Sequence, residues 1–277
     1  MSNSVQAVKD KLKNVSREKN VDFNSVMRFY MYDRFVERLS KSKYKDNFIL
    51  KGGFYLSKLF GLDNRSTMDI DTAIRKAEFT EENIIKMIKE IINIDVGDNV
   101  KFKIEKTETI RDEDEYGGLR ITINFMLENI KDKFHIDLAT GDPIYPRPDN
   151  YRYESLIGDE VYKVWSYNLE TVLAEKIETI LSKLETTSRM KDYYDIYLIY
   201  KFKFDKIDKE KFRGAVEKTF KKREYNADII TNLNIVKESK VLKNKWISYS
   251  RKYSYARDVE FEETLKCLEQ FINIIQL

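Results

Sequence analysis

Apolar residues recur at helical spacing over residues 3–17 and again over 24–42, where Val26, Met27, Phe29, Tyr30 and Phe35 form one side. The period then shortens to two. Residues 47–51 predict a short strand entering Gly52-Gly53, residues 54–60 a short helix, and residues 68–74 a second strand. Thr80 opens a helix expected to reach residue 92, with Glu81 and Glu82 at its positive end. Three further strands are expected over 100–110, 119–127 and 133–139, the first two joined by an acidic hairpin loop at 111–118. A proline-containing loop over 141–149 interrupts the pattern, and short strands fit 151–156 and 160–165. From Asn168 onward the spacing is helical with little interruption.

The pattern predicts an α+β chain: a mixed-sheet domain over residues 1–166 with N-terminal helices, then a helical domain over 167–277. No internal repeat or low-complexity segment is present. Only three prolines and nine glycines occur, which favours long ordered elements.

Candidate chemistry gathers on the predicted strands. Asp69 and Asp71, one residue apart, project to one face, and Met68 and Ile70 are expected to point the other way into a core. Gly52-Gly53, upstream, lets backbone amides approach something bulky and negative. Carboxylates that hold a divalent cation and a glycine turn that holds phosphates are parts a nucleotide-transferring enzyme needs. In the later strand, Phe134, Ile136 and Leu138 alternate with His135 and Asp137. Laid beside the Asp69 strand, Asp137 would complete a cluster of three carboxylates, which repel one another unless cations sit among them. An isolated Asp-x-Asp is also used by glycosyltransferases, though there the Gly-Gly pair has no obvious task.

Composition narrows these options. His135 is the single histidine, so multi-histidine zinc sites are excluded and any Ser-His-Asp triad would have to use it. Oxygen ligands favour magnesium or manganese over zinc. One cysteine, Cys267, excludes an internal disulfide and suits a reducing cytosol. No apolar run approaches the roughly 20 residues of a bilayer span. The expectation is a cytoplasmic protein with no membrane partner.

Charge is unevenly distributed. Residues 201–257 hold 17 Lys/Arg against 7 Asp/Glu, within a chain whose net charge is only +3. Nine aromatic residues, from Phe202 to Tyr255, are interleaved there. Basic groups with aromatics suit a nucleic acid, and equally describe a solvated face over an aromatic core. Upstream, Asn168 can cap a helix to about residue 183, whose buried arc runs through Leu169, Val172, Leu173, Ile177, Ile180, Leu181 and Leu184. Lys176 falls inside that arc, either snorkelling or aimed into a cleft toward a triphosphate, and Glu175 faces away. Arg189, Lys191, Asp192 and Asp195 open the next helix, where Lys191 and Asp195 have the spacing of a surface pair.

Taken together, Lys51-Gly52-Gly53, Arg65-Ser66-Thr67-Met68-Asp69-Ile70-Asp71, Asp137, Ala174-Glu175-Lys176 and Arg189-Met190-Lys191-Asp192-Tyr193-Tyr194-Asp195 resemble the AbiEii-type abortive-infection nucleotidyltransferase toxins, within the polymerase-β-like superfamily. Family members often carry Gly-Ser where Gly52-Gly53 stands. The resemblance covers residues 45–200. It implies a magnesium-dependent toxin of a toxin–antitoxin and phage-defence system that transfers a nucleotide from an NTP to RNA, in some members the tRNA 3′ end. Asp69 and Asp71 would be metal ligands, and Asp137 a ligand or the base. Lys51, Gly52 and Gly53 would hold phosphates, with Arg65 and Thr67 contacting nucleotide or shaping the loop. Lys176 would neutralise triphosphate charge beside Arg189, Lys191, Asp192 and Asp195. A separately encoded antitoxin is the implied partner. Transfer to protein hydroxyls and a non-catalytic RNA-binding module are the alternatives.

Overall fold

A computed structural model describes residues 4–110 and 118–276, so the predicted loop at 111–118 lies almost wholly outside the described residues. Its contacts divide the chain into two compact units, one of residues 1–141 with 149–166, the other of 142–148 with 167–277.

The first unit opens with two capped helices. Ser4 accepts a hydrogen bond from Ala7 N at the start of α1 (Val5–Glu18), and Asp22 from Ser25 N at α2 (Phe23–Lys41). There follow β1 (Phe48–Leu50), α3 (Gly52–Phe60), β2 (Asp69–Ile74) and α4 (Glu81–Ile92), whose cap is Thr80. β3 (Val100–Ile110), β4 (Gly118–Leu127), β5 (Ile130–Ala139), β6 (Asp149–Glu154) and β7 (Val161–Ser166) complete the unit. All seven strands join one sheet in the order β3-β4-β5-β2-β1-β7-β6. β2 runs parallel to β5, and β1 to β7; the other neighbours are antiparallel. A chain that alternates between hairpins and crossovers yields this mixed sheet.

Alternation along β2, β4 and β5 sends Ile70, Ile121, Ile123, Phe134 and Ile136 into the core, all under 2% exposed. There the Tyr32 ring packs 5.2 Å from Phe134 and 5.5 Å from Phe54. Its hydroxyl donates to Met68 O at 2.7 Å, tying α2 to the mouth of β2. Met68 departs from expectation: it is 59% exposed, because the strand begins one residue later and the pleat does not extend to it. Buried Asp33 on α2 fixes the other end of α3, accepting from Lys58 Nζ at 3.2 Å and from Tyr153 OH at 2.6 Å.

The second unit contains α5 (Leu169–Lys183), α6 (Met190–Lys203), α7 (Lys209–Lys222), α8 (Ile229–Glu238), α9 (Lys240–Lys252) and α10 (Phe261–Gln276). Asn168 caps α5 through Thr171 N, and its side-chain amide donates to Tyr145 O and Arg147 O. That double use places the 142–148 loop with the helices. Val172, Leu173, Ile177 and Leu181 are buried in the unit's core, as are Phe212, Leu268 and Phe271, while Leu169 and Leu184 at the arc's ends are half-buried. Of the aromatics in the basic segment, Phe212, Phe220 and Trp246 are core, whereas Phe202 stands 57% exposed.

Candidate active site

β5 pairs with β2 so that Asp137 lies opposite Asp71 and His135 opposite Asp69. Residues in register on neighbouring strands share a face, so Asp69, Asp71 and Asp137 form one patch on the side away from Ile70 and Ile136. All three are partly exposed.

Gly52 makes room for this patch. Its φ is +56°, a region a side chain rarely adopts, and a Cβ there would lie 2.8 Å from Asp71 Oδ2. In the following helix Phe54 N donates to the same carboxylate, at 3.2 Å from Asp71 Oδ2, and Lys51 N, just before the helix, donates to the backbone carbonyl of Asp71 at 3.0 Å. The amide of Phe54 is thus engaged by protein. Gly53 serves a different neighbour, since a Cβ there would lie 3.0 Å from Arg65 Nη2 and 3.3 Å from Thr67 Oγ1. Arg65 is 3% exposed, so a serine at this position would press on a buried guanidinium. Arg65 Nη1 donates to Ser66 O and Thr67 Oγ1 to Asp69 O at 3.3 Å, both within the segment that leads into β2.

The patch holds one further residue that no sequence motif marks. Arg120 on β4 donates from Nε and Nη2 to the two oxygens of Asp137 at 2.7 and 2.6 Å. Its Nη2 is also 3.8 Å from Asp69 Oδ2. Alternation in Leu119-Arg120-Ile121-Thr122-Ile123 marks Arg120 as polar-facing, but only the register of β4 on β5 sets it against Asp137. Thr122 and His135 form a second cross-strand pair, Oγ1 to Nδ1 3.0 Å.

The electrostatics follow from this arrangement. Burial, then the negative charge of Asp137, raises the Asp69 carboxyl above its ordinary value, and Arg120 offsets part of the rise. Asp69 Oδ1 is closed off from solvent and accepts no hydrogen bond among the described residues. An oxygen left in that state is costly unless something positive completes it. Asp69 and Asp71 therefore fit a hard divalent cation. Asp137 carries the Arg120 guanidinium across both its oxygens. Among the described residues no group of three or more His, Cys, Asp or Glu is arranged to hold a metal ion.

The remaining predicted residues meet in the second unit. Lys176, only 6% exposed, places Nζ 2.6 Å from Asp192 Oδ1 and 2.7 Å from Asp195 Oδ2. Arg189 Nε donates to Asp192 Oδ2 at 2.8 Å, and its side chain remains 48% exposed. Burial alone would raise the Asp192 carboxyl; Lys176, then Arg189 and Lys191, outweigh it and hold that group well below its ordinary value. The surface pairing of Lys191 with Asp195 is not formed. Lys191 is exposed and Asp195 fully buried, because the inner side of α6 carries Asp195 to Lys176.

Comparison with known proteins agrees with this topology. The sequence profile described as "Nucleotidyl transferase AbiEii toxin, Type IV TA system" matches residues 34–267. The chain belongs to this AbiEii family. Two solved structures are similar in fold, a candidate nucleotidyltransferase from H. pylori and JHP933 from Helicobacter pylori, each 14% identical with a TM-score of 0.50. The first match covers 92% of this chain and 96% of that one, the second 91% and 92%. No curated protein matches the sequence. The AbiEii chain is thus of a toxin nucleotidyltransferase family whose type IV toxin–antitoxin setting implies a separate antitoxin. No helix among the described residues is long and apolar enough to cross a membrane.

Proposed function

We propose that the first unit is the nucleotidyltransferase domain, and that this AbiEii protein transfers a nucleotide from a nucleoside triphosphate to an RNA hydroxyl, with pyrophosphate leaving. The observation that carries the reading is the patch itself: Asp69 and Asp71 beside an orphaned carboxylate oxygen, at the N-terminus of a helix that opens with Gly52 at positive φ.

Asp69 and Asp71 would hold magnesium or manganese, whose charge offsets the negative charge that develops on the transferring phosphoryl group. The Gly52-Gly53 turn and Lys51 would seat the phosphates against the positive end of α3. Asp71 keeps that helix end oriented through Phe54 N. Asp137 anchors Arg120 within the patch. In the second unit, Arg189 and Lys191 would be the cations offered to a phosphate; Lys176 pairs with Asp192 and Asp195, and Asp192 in turn holds Arg189. Positioning then supplies most of the rate, because the acceptor hydroxyl need only be held in line with the leaving pyrophosphate. The basic segment at 201–257 suits an RNA acceptor, of which a tRNA 3′ end is the case we favour. Abortive infection in phage defence is the corresponding cellular role.

The test incubates the protein with total cellular RNA, a divalent metal and each α-labelled nucleoside triphosphate in turn. A labelled tRNA-sized band that disappears with Asp69→Ala supports the reading. Label on protein instead would redirect it to protein hydroxyls, and no label with any nucleotide would remove it.

A further inference from the structure

The sheet carries its charges in cross-strand rows. Register places Glu108, Arg120, Asp137 and Asp71 in one row over β3, β4, β5 and β2, and Lys106, Thr122, His135 and Asp69 in the next. Arg120 is the cation inside the first row. It grips Asp137 through two short parallel bonds, the geometry in which a guanidinium recognises a carboxylate or a phosphate equally well. It also reaches toward Asp69, the carboxylate whose other oxygen is unpaired. The Arg120 side chain is 36% exposed, so it can turn away without opening the core.

We propose that Arg120 is the built-in counter-cation of the carboxylate patch, competing with a divalent metal ion for it and contacting the phosphates of the bound nucleoside triphosphate. This rests on the reading of Asp69 and Asp71 as the metal-holding pair. With Arg120 on Asp137, the free protein offsets only one of the patch's three carboxylate charges, and a divalent cation binds beside a guanidinium that repels it. Transfer of that guanidinium from Asp137 to a phosphate leaves its own two hydrogen bonds intact in number, because both partners accept the same fork, and frees the oxygens of Asp137. The nucleotide then relieves the repulsion, and metal and nucleotide assist one another reciprocally.

Titration of the full chain with Mn²⁺, followed by the electron paramagnetic resonance signal of the free ion, tests this apart from activity. Arg120→Ala should tighten Mn²⁺ by about tenfold or more, since removal of one nearby positive charge is worth at least that in a partly buried site. Arg120→Gln should shift the affinity in the same direction and guards against a folding defect in the alanine variant. Unchanged or weaker Mn²⁺ binding in both variants would overturn the competition. At saturating Mn²⁺, the same variants should raise KM for the triphosphate used in the transfer assay, and an unchanged KM would overturn the phosphate contact. Asp69→Ala separates the two levels of argument. If it binds Mn²⁺ as well as the unmodified chain, the metal-site reading fails; if it loses binding while Arg120→Ala and Arg120→Gln gain nothing, only the role of Arg120 fails.

Discussion

Two charged clusters in this protein use the same residue types and end in opposite states. Around Lys176, an ammonium meets two buried aspartates and Arg189 caps one of them, so the cations match the anions. Around Asp69, three carboxylates lie with one guanidinium and, among the described residues, a buried oxygen is left without a partner. The first cluster is complete without help. The second is stable only because the sheet, the helix end of α3 and the hydrophobic core beneath it hold it in place. A completed network stabilises a fold, whereas an incomplete one stores binding capacity at the cost of stability.

This contrast is open to direct attack. Asp69→Asn should cut nucleotide transfer by about a thousandfold or more, the loss of several kcal/mol of charge stabilisation. The same change should raise the thermal midpoint at neutral pH, because it removes a carboxylate that burial and Asp137 already disfavour in its charged form. A lowered midpoint would show that the patch is structural after all.

Lys176→Met should act in the reverse sense. It leaves two buried aspartates without their ammonium, which costs about 3–5 kcal/mol and would appear as an earlier urea midpoint. Stability retained within 1 kcal/mol, roughly the effect of an exposed pair, would dissolve the distinction between the clusters.

Acid should separate them further. The Asp192 carboxyl is held below its ordinary 3.8, so its contribution is fully present above that value and is lost as pH falls through the lower folded value. Asp69 has the opposite sign: its folded value is raised, so its contribution falls as pH rises from the ordinary carboxylate range. Midpoints measured against pH should therefore fall more gently on the acid side in Asp192→Asn than in the unmodified chain, and in Asp69→Asn lose less as pH rises out of the ordinary carboxylate range.

The smallest effects concern the glycines. Gly52→Ala forces a left-handed backbone on a side chain and drives Cβ into Asp71, a cost of about 1–3 kcal/mol with a marked loss of transfer. Gly53→Ser has ordinary backbone geometry and needs only a few tenths of an ångström from Arg65, so it should cost under about 1 kcal/mol. Equal effects at both positions, read by denaturation and transfer together, would mean that Asp71 is not what Gly52 accommodates.

Much of this was legible in the chain. Period-two alternation located the strands that carry Asp69, Asp71 and Asp137, and the helical arc of α5 placed Lys176 inward, because both signals depend only on local backbone geometry. Cap residues such as Thr80 and Asn168 announced helix starts for the same local reason. What lay beyond local geometry was pairing. Nothing near Arg120 in sequence indicates Asp137, 17 residues away, as its partner; the register of β4 on β5 makes them neighbours. Likewise, the turn of α6 carried Asp195 to Lys176 rather than to Lys191, and a strand that starts at Asp69 left Met68 outside the core. The sequence by itself determined which side chains face together along each element. Only the tertiary structure decided which of those faces meet, because burial and strand register are set by the packing of the whole sheet and helix core rather than by any one segment.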